Sequence, residues 1–179
     1  MHQTETSFYD DLASSYHLIF ENWDRAVARQ GVVLSALLPS PSEAGMVLDC
    51  ACGIGTQAFA LARAGYAVEG TDLSALAIER ARREGAERGL QVVFREDDMR
   101  LLKTSDKGQY GAVLALDNAL PHLDNDNDIL KALSAMRERL KSGGRLLISL
   151  RDYAPLLEQR PNMMPPSMFL DDGRRRIVH

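Results

Sequence analysis

Between residues 46 and 150, five short, mostly apolar runs alternate with longer segments in which apolar residues recur at helical spacing. The five runs are 46–48, 66–71, 91–94, 111–116 and 146–150. Strands that are buried on both faces read as nearly continuous apolar runs, and a helix after each strand makes the next strand parallel. The alternation therefore predicts an α/β fold with a doubly wound, mainly parallel sheet.

Helical periodicity also covers residues 8–38, ahead of the first apolar run, and Pro39 and Pro41 end it. We therefore expect a helical N-terminal cap before the sheet. The predicted parts of the chain are the cap at 1–40, the core at 41–152 and a terminal segment at 153–179.

The terminal segment is expected to add little to the sheet. Residues 161–166 are rich in proline, which interrupts a helix, and 174–179 reads as the beginning of a strand. We therefore expect five parallel strands with incomplete C-terminal strands, at most one short added edge strand and no antiparallel hairpin. Because an open sheet edge promotes association, we also expect a homodimer through that edge.

Charge and composition exclude several classes of function. The net charge of −4 gives no broad basic surface for nucleic acid, and no run of about 18 apolar residues marks a membrane span. Residues 1–10 lack the basic and apolar segments of a signal peptide. Cys50 and Cys52 have no further metal ligands nearby and are expected to be reduced. These features predict a cytoplasmic protein without a metal.

Two charged stretches are interpreted as surface features. The arginines of 80–88 are interleaved with glutamates, which is typical of a solvated helix face. Residues 124–128 resemble the opening of a calcium loop, but Ile129 stands where that loop has glycine and Ala135 where it has glutamate. We interpret them as a helix start, where the helix dipole favours acidic residues.

The turn after the first apolar run carries the strongest functional signal. It reads Asp49-Cys50-Ala51-Cys52-Gly53-Ile54-Gly55-Thr56. Gly53 and Gly55 let the backbone pass close to a ligand and enter a helix N-terminus. A nicotinamide-binding turn reads G-x-G-x-x-G, whereas Ala51 stands at its first glycine here. Asp49 ends a buried strand, which favours a ligand with positive groups over a pyrophosphate.

Polar residues also follow the next three runs. Asp72 follows the second run, where a carboxylate accepts both hydrogen bonds of a ribose diol. The stretch 96–99 follows the third and offers a carboxylate for the adenine amine and a methionine for its ring. The stretch 116–123 follows the fourth run, and we expect the group that the protein transfers to its substrate to lie beside it. Because ligands bind at the carboxyl ends of parallel strands, these residues predict one site.

Together these motifs resemble the class I S-adenosylmethionine-dependent methyltransferase family over residues 45–150, which implies a Rossmann-like core. Three further stretches are similar to glycine/sarcosine N-methyltransferases. They are 9–13 with Tyr16, 117–123, and 151–153. The resemblance implies S-adenosylmethionine as cofactor, S-adenosylhomocysteine as product, and a small amino acid such as glycine or sarcosine as the methyl acceptor.

The resemblance also implies which residues hold the cofactor. They are Arg29, Asp49, Ala51, Gly53, Gly55, Thr56, Asp72, Leu73, Asp98, Met99 and Leu116. In this assignment Asp72 binds the ribose, and Asp98 with Met99 binds the adenine. Arg29 is the candidate partner of the cofactor carboxylate, with Arg25 nearly as suitable.

A second group of residues is assigned to the acceptor. The residues expected to bind substrate are Tyr9, Tyr16, Trp23, Asn118 and Arg151. Asn118, His122 and Arg151 are expected nearest to the reaction, with Arg151 pairing with the acceptor carboxylate. The three aromatic residues line the pocket if the cap closes over it, and belong to the core otherwise. Ala119 stands where that group has a hydroxyl residue, so one polar contact is absent.

The sequence leaves three alternatives open. One is a methyltransferase for another small metabolite, with an oxygen or carbon acceptor. Another is a NAD(P)-dependent Rossmann oxidoreductase, which Asp49 and the glycine pattern disfavour. The last is a module that holds the cofactor without turnover. A nucleic-acid adenine methylase is disfavoured because the stretch 117–120 lacks the Pro-Pro-aromatic element that stacks on a base.

Overall fold

The structure is a computed structural model that describes residues 5–162, 166–171 and 174–178. The α-helices are α1 (Glu5–Ala13), α2 (Trp23–Leu37), α3 (Pro41–Ala44), α4 (Thr56–Arg63), α5 (Ala75–Glu87), α6 (Asp126–Arg139) and α7 (Ala154–Gln159), and two 3-10 helices lie at Tyr16–Ile19 and Leu120–His122. The strands are β1 (Met46–Asp49), β2 (Ala67–Asp72), β3 (Val92–Glu96), β4 (Tyr110–Ala115), β5 (Leu140–Ile148), β6 (Ser167–Asp171) and β7 (Arg174–Val178).

The first five strands form one parallel sheet, which confirms the predicted α/β fold. Its order is β3-β2-β1-β4-β5. Val47 of the central strand β1 pairs with Val68 on one side and Ala112 on the other. The strand order reverses at β1, so a crevice opens there at the carboxyl ends of the strands.

Both faces of the sheet are covered, as continuous apolar strands require. Val47 points into the core that α2, α4 and α5 cover, where Phe59 is fully buried. Leu48, its neighbour on β1, points into the core that α6 covers, around Met136. The two cysteines are buried free thiols, Cys50 in the second core and Cys52 in the first.

The N-terminal cap is attached to α5, and this attachment corrects one interpretation of the sequence. Arg80 is 7% exposed, and its Nη1 donates hydrogen bonds to the carbonyl oxygens of Ala13 (2.6 Å) and Ser14 (2.8 Å). The guanidinium of Arg88 lies 4.6 Å from the ring centre of Trp23. The solvated-face interpretation of 80–88 is therefore wrong for these two arginines, because the end of α1 and the start of α2 need them as partners.

A second contact fixes the cap beside the sheet. Ser74 is the N-cap of α5, where its Oγ accepts a hydrogen bond from the backbone N–H of Ala77. The same hydroxyl donates to Asp10 Oδ1 at 2.5 Å, and the N–H of Leu76 also donates to that oxygen. An acidic side chain of α1 thus lies at the positive end of α5.

The fifth strand begins earlier than its apolar run indicates. β5 starts at Leu140, directly after α6, and includes Ser142-Gly143-Gly144 ahead of the apolar run at 146–150. The pairing with β4 shifts between Tyr110, opposite Leu140, and Ala112, opposite Arg145. The two glycines therefore lie in an irregular part of a strand.

In the described part of the chain, the main sheet has five parallel strands and no antiparallel hairpin, as expected, but the terminal segment forms a strand pair of its own that the sequence did not indicate. β6 and β7 form a separate antiparallel pair in which Met168 lies opposite Ile177, and no described strand pairs with the outer edge of β5. The guanidinium of Arg176 donates hydrogen bonds to the carbonyl oxygens of Leu18, Phe20 and Glu21. These hydrogen bonds attach the hairpin to the cap.

We expect Arg80→Ala to lower the free energy of unfolding by about 1–3 kcal/mol, because the carbonyl groups of Ala13 and Ser14 lose a charged donor. Urea unfolding monitored by Trp23 fluorescence measures the change. Arg83→Ala is the matched control, since Arg83 is exposed on the same helix. Equal stability of the two variants would show that Arg80 does not hold the cap.

Candidate active site

A cavity of about 520 Å³ lies at the carboxyl ends of β1, β2, β3 and β4. Its walls come from the turn after each of these strands and from the cap. The lining residues are Tyr9, Ala13, Tyr16, Cys50, Ala51, Gly53, Ile54, Asp72, Leu73, Ser74, Ala77, Asp97, Asp98, Met99, Arg100, Leu116, Asp117, Ala119, His122, Leu123 and Asp124. The predicted gathering of strand-end residues at one edge of the sheet is what the structure shows.

The glycine turn after β1 forms one wall. Gly53 lines the cavity with φ +51°, and a Cβ at this position would meet nothing within 4 Å. Gly55 has φ +94°, and a Cβ there would lie 2.8 Å from the ring of Phe59. The first glycine therefore leaves space for a ligand beside the backbone, while the second allows α4 to pack tightly.

Asp72 connects this turn to the end of β2. Its Oδ2 accepts a hydrogen bond from the N–H of Gly53 (2.8 Å), and its Oδ1 accepts one from the N–H of Ser74 (3.0 Å). Burial raises the pKa of this carboxyl group, although these backbone donors act in the opposite direction. Each oxygen keeps a further lone pair, so the carboxylate can still accept hydrogen bonds from a diol.

The turn after β3 contributes an ion-pair network. Arg100 donates to both oxygens of Asp98, at 2.6 Å in the shortest bond, and its Nη1 donates to Asp128 at 3.2 Å. Hydrogen bonds from Arg100 lower the pKa of the Asp98 carboxyl against the effect of its burial. Met99 lies beside this pair in the cavity wall.

Asp49 is the most unusual group near the cavity. It is 1% exposed, and among the described residues neither of its carboxylate oxygens has a partner at hydrogen-bond geometry. Burial, together with the nearby carboxylates of Asp117 and Asp72, raises its pKa to about 8, although the backbone N–H of Ala51 acts to lower it. A buried carboxylate without a partner is costly, so this end of β1 suits a ligand that brings positive charge.

The loop after β4 contains two consecutive residues in the left-handed region. Asp117 has φ +52° and Asn118 has φ +66°, which costs about 1–2 kcal/mol for each non-glycine residue. Asp117 is fixed by a hydrogen bond from its N–H to Ser149 Oγ (2.8 Å) and by Gln57 Nε2, which donates to its Oδ2 (2.6 Å). This conformation places the Asp117 side chain in the cavity wall.

Asn118 makes two hydrogen bonds to the segment after β5. Its Nδ2 donates to the hydroxyl of Tyr153 (2.8 Å), and its Oδ1 accepts from the N–H of Arg151 (3.0 Å). It therefore joins the loop after β4 to the segment after β5. Neither Asn118 nor Arg151 lines the cavity, and Arg151 is exposed.

Two tyrosines of the cap close the cavity from the other side. The hydroxyl of Tyr9 lies 2.9 Å from Nε2 of His122, and the two rings meet edge to face. Burial raises the pKa of Tyr16 to about 12, and the carboxylate of Asp117 contributes to the shift. Tyr16 is therefore a neutral phenol over the ordinary pH range.

Of the residues expected to form the site, ten line this cavity. They are Tyr9, Tyr16, Ala51, Gly53, Asp72, Leu73, Asp98, Met99, Leu116 and His122. Seven others do not line it, namely Trp23, Arg29, Asp49, Gly55, Thr56, Asn118 and Arg151.

Two of these seven residues connect the cap to α4 outside the cavity. Trp23 is 8% exposed, and its Nε1 donates to Thr56 Oγ1 at 2.9 Å, so the two residues join the cap to the first turn of α4. Arg29 is exposed on α2, whose buried residues include Val27 and Gly31. Trp23 thus belongs to the core, one of the two readings that the sequence allowed.

Sequence reasoning did not single out several residues that line the cavity. Asp97, Arg100, Asp117 and Asp124 are the charged ones. Asp117 had a usable signal, because it directly follows the fourth apolar run. The position of Arg100 depends on its pairing with Asp98 and Asp128, which no local pattern indicates.

Comparison with known proteins assigns this architecture to a family. The methyltransferase domain family matches residues 47–144. A putative methyltransferase of Bacillus subtilis is 30% identical over 171 residues, which are 96% of this chain and 62% of that protein. A glycine/sarcosine N-methyltransferase of Halorhodospira halochloris is 30% identical over 137 residues, 76% of this chain and 51% of its own length.

A ubiquinone biosynthesis O-methyltransferase of Bordetella avium is 34% identical over 109 residues, 61% of this chain and 44% of that protein. The chain thus spans about half of the length of these relatives. Among solved structures, DesVI of Streptomyces venezuelae has a similar fold, with a TM-score of 0.72, 21% identity and coverage of 91% of this chain and 66% of that one.

The chain belongs to the class I S-adenosylmethionine-dependent methyltransferase family, and its cofactor is S-adenosylmethionine. The structure fits this cofactor, because Gly53 leaves room beside the backbone and the buried Asp49 suits a ligand that carries sulfonium and ammonium groups. Within the described part of the chain, no helix is long and apolar enough to cross a membrane.

We expect Asp49→Asn to flatten the dependence of stability on pH. Folded Asp49 keeps its proton up to a pKa of about 8, whereas in the unfolded chain the group titrates near its ordinary value of 3.8. Between these values the native state binds more protons, so rising pH lowers the free energy of unfolding, by at most about 1.4 kcal/mol per pH unit for one group. The variant should therefore be more stable than the wild type when the pH approaches the folded-state pKa of about 8.

Urea unfolding of both proteins across this pH range measures the difference. Asp106→Asn removes an exposed carboxylate elsewhere and serves as control. If the stability of Asp49→Asn changed with pH as steeply as that of the wild type, Asp49 would not be the group that takes up the proton.

Proposed function

We propose that this chain methylates the nitrogen of a small-molecule amine, and that glycine and sarcosine, which the sequence resemblance implies, are tested beside amines without a carboxylate. The observation that carries the proposal is the cavity itself, which is bounded on one side by the strand-end residues of a methyltransferase and on the other by Tyr9, Tyr16 and His122. Similarity to glycine/sarcosine N-methyltransferases, at 30% and 29% identity, supports nitrogen as the acceptor atom.

The cofactor is proposed to lie along the ends of the strands. Asp72 accepts hydrogen bonds from the ribose, and Asp98 with Met99 holds the adenine. Gly53 faces the methionine part. The carbonyl oxygen of Leu116 accepts one hydrogen bond from the N–H of Ala119 at 3.2 Å and keeps a lone pair for the amino group of the cofactor.

S-adenosylmethionine supplies a methyl group that is already activated by a positively charged sulfur. The chain therefore contributes mainly position, an effect worth up to roughly 7–11 kcal/mol when the reacting atoms are held in line. Tyr16, a neutral phenol, can donate a hydrogen bond that orients the acceptor. The contact between Tyr9 and His122 closes the space above it and limits the entry of water.

The other sequence predictions about the setting of the chain stay predictions. They are a cytoplasmic location, a small-molecule substrate without a nucleic-acid partner, and a homodimer through the open edge of the sheet. The division of the chain at residues 40 and 152 is likewise proposed as the boundary between the cap, the core and the terminal segment.

Asp72→Ala is expected to weaken binding of S-adenosylhomocysteine by about 1.5–3 kcal/mol, the usual contribution of hydrogen bonds to a charged group. Titration calorimetry measures this affinity directly. Asp106→Ala is the control for loss of one carboxylate. An unchanged affinity in Asp72→Ala would contradict the proposed ribose contact.

A panel of acceptors tests the reaction itself. With S-adenosylmethionine present, we expect methylation of amines and little methylation of catechols or activated carbon acids, measured by formation of S-adenosylhomocysteine. If Arg151 binds the carboxylate of an amino acid, Arg151→Lys should raise the KM for glycine, because lysine loses the paired hydrogen bonds of a guanidinium. Methylation of catechols alone would contradict nitrogen as the acceptor atom.

A further inference from the structure

We infer that the acceptor is recognised through its amino nitrogen by Asp117, and that its remaining part carries no carboxylate. The inference rests on the proposed function and specifies the substrate class for the same cavity. It starts from the polar part of the wall that the cap and the loop after β4 contribute, where Tyr9, Tyr16, Asp117, His122 and Asp124 lie.

Among the described residues, this part of the wall contains two carboxylates and neither a lysine nor an arginine. Asp117 and Asp124 are carboxylates, and the tyrosine pKa of about 12 keeps Tyr16 neutral. Arg100 is the only lysine or arginine among the described residues that line the cavity. Its guanidinium already pairs with Asp98 and Asp128.

The geometry of Asp117 gives it a free acceptor. Oδ2 accepts the hydrogen bond from Gln57, whereas Oδ1 accepts none from the described residues. Asp117 lines the cavity, and its left-handed backbone is held by the hydrogen bond to Ser149. Non-glycine residues adopt such strained conformations mainly where the surrounding structure fixes them, and often at functional sites.

A carboxylate at this position matches the change in charge during transfer to nitrogen. The amine must first lose a proton to solvent, and one of its remaining N–H groups then donates to Asp117 Oδ1. The nitrogen lone pair forms the new N–C bond while the C–S bond breaks and leaves its electron pair on sulfur. The positive charge thus moves from sulfur to nitrogen, where a fixed carboxylate stabilises it.

A carboxylate on the acceptor would have the opposite effect. It would enter a space with Asp117 and Asp124 nearby and with no uncommitted lysine or arginine among the described lining residues. Arg151, the expected partner of such a group, is exposed and does not line the cavity. Because like charges repel, amines whose remaining part is uncharged should be better acceptors than amino acids.

Two matched pairs of acceptors test this inference. Ethanolamine and glycine have similar size and basicity but differ in the carboxylate, and N-methylethanolamine and sarcosine form the corresponding secondary pair. We expect kcat/KM to favour the member of each pair that lacks the carboxylate by about tenfold or more, equivalent to one charged contact. Calorimetric binding of ethanolamine to the complex with S-adenosylhomocysteine provides a readout without turnover.

Asp117→Asn removes the charge and keeps the shape, because asparagine tolerates the left-handed region and can still accept the hydrogen bond from Gln57. We expect this variant to bind ethanolamine about tenfold more weakly and to lose most of the preference for acceptors without a carboxylate. Asp106→Asn is the matched control on the exposed surface. Binding of S-adenosylhomocysteine to each variant verifies that the cavity is formed.

The outcomes separate the two proposals. A wild-type preference for glycine and sarcosine, or an unchanged preference in Asp117→Asn, would overturn the role of Asp117 while nitrogen methylation stands. If no amine is methylated although the cofactor binds, the proposed function fails, and the inference fails with it.

Discussion

Two hydrogen bonds to the carboxylate of Asp72 hold the cavity together. They join the glycine turn after β1 at Gly53 to the start of α5 at Ser74, so the ends of two neighbouring strands keep a fixed separation. Ser74 in turn donates to Asp10, which attaches the cap to the same point. Asp72, at the end of β2, thus fixes the glycine turn on one side of the cavity and, through Ser74, the cap on the other side.

The cavity region combines two costly features, a buried acid and a strained loop residue. Asp49 lies beneath it with no hydrogen-bond partner among the described residues, and Asp117 occupies a left-handed conformation at its wall. Both features reduce the stability of the chain without ligand, because charge is poorly solvated in the interior and a side chain is crowded at positive φ. They become useful when positive charge is present, first on the sulfur of the cofactor and then on the acceptor nitrogen.

The cap connects distant parts of the chain to the cavity. Arg80 of α5 binds the end of α1, and Arg176 of β7 binds the carbonyl groups after the 3-10 helix at Tyr16–Ile19. The terminal hairpin therefore touches the element that carries Tyr16, although it lies outside the main sheet. Through these contacts β7 stabilises the part of the cap that borders the cavity.

The sequence by itself determined the five-stranded α/β core and ten of the residues that line the cavity, because strand and helix periodicities are local and parallel strands bring their carboxyl ends to one edge. Tertiary structure decided what depends on partners distant in sequence. Arg80 binds the end of α1 instead of facing solvent, and β6 pairs with β7. Asn118 binds Tyr153, whereas its neighbour Asp117 lines the cavity. These outcomes follow from which buried donors and acceptors meet, and that is known only once the chain has folded.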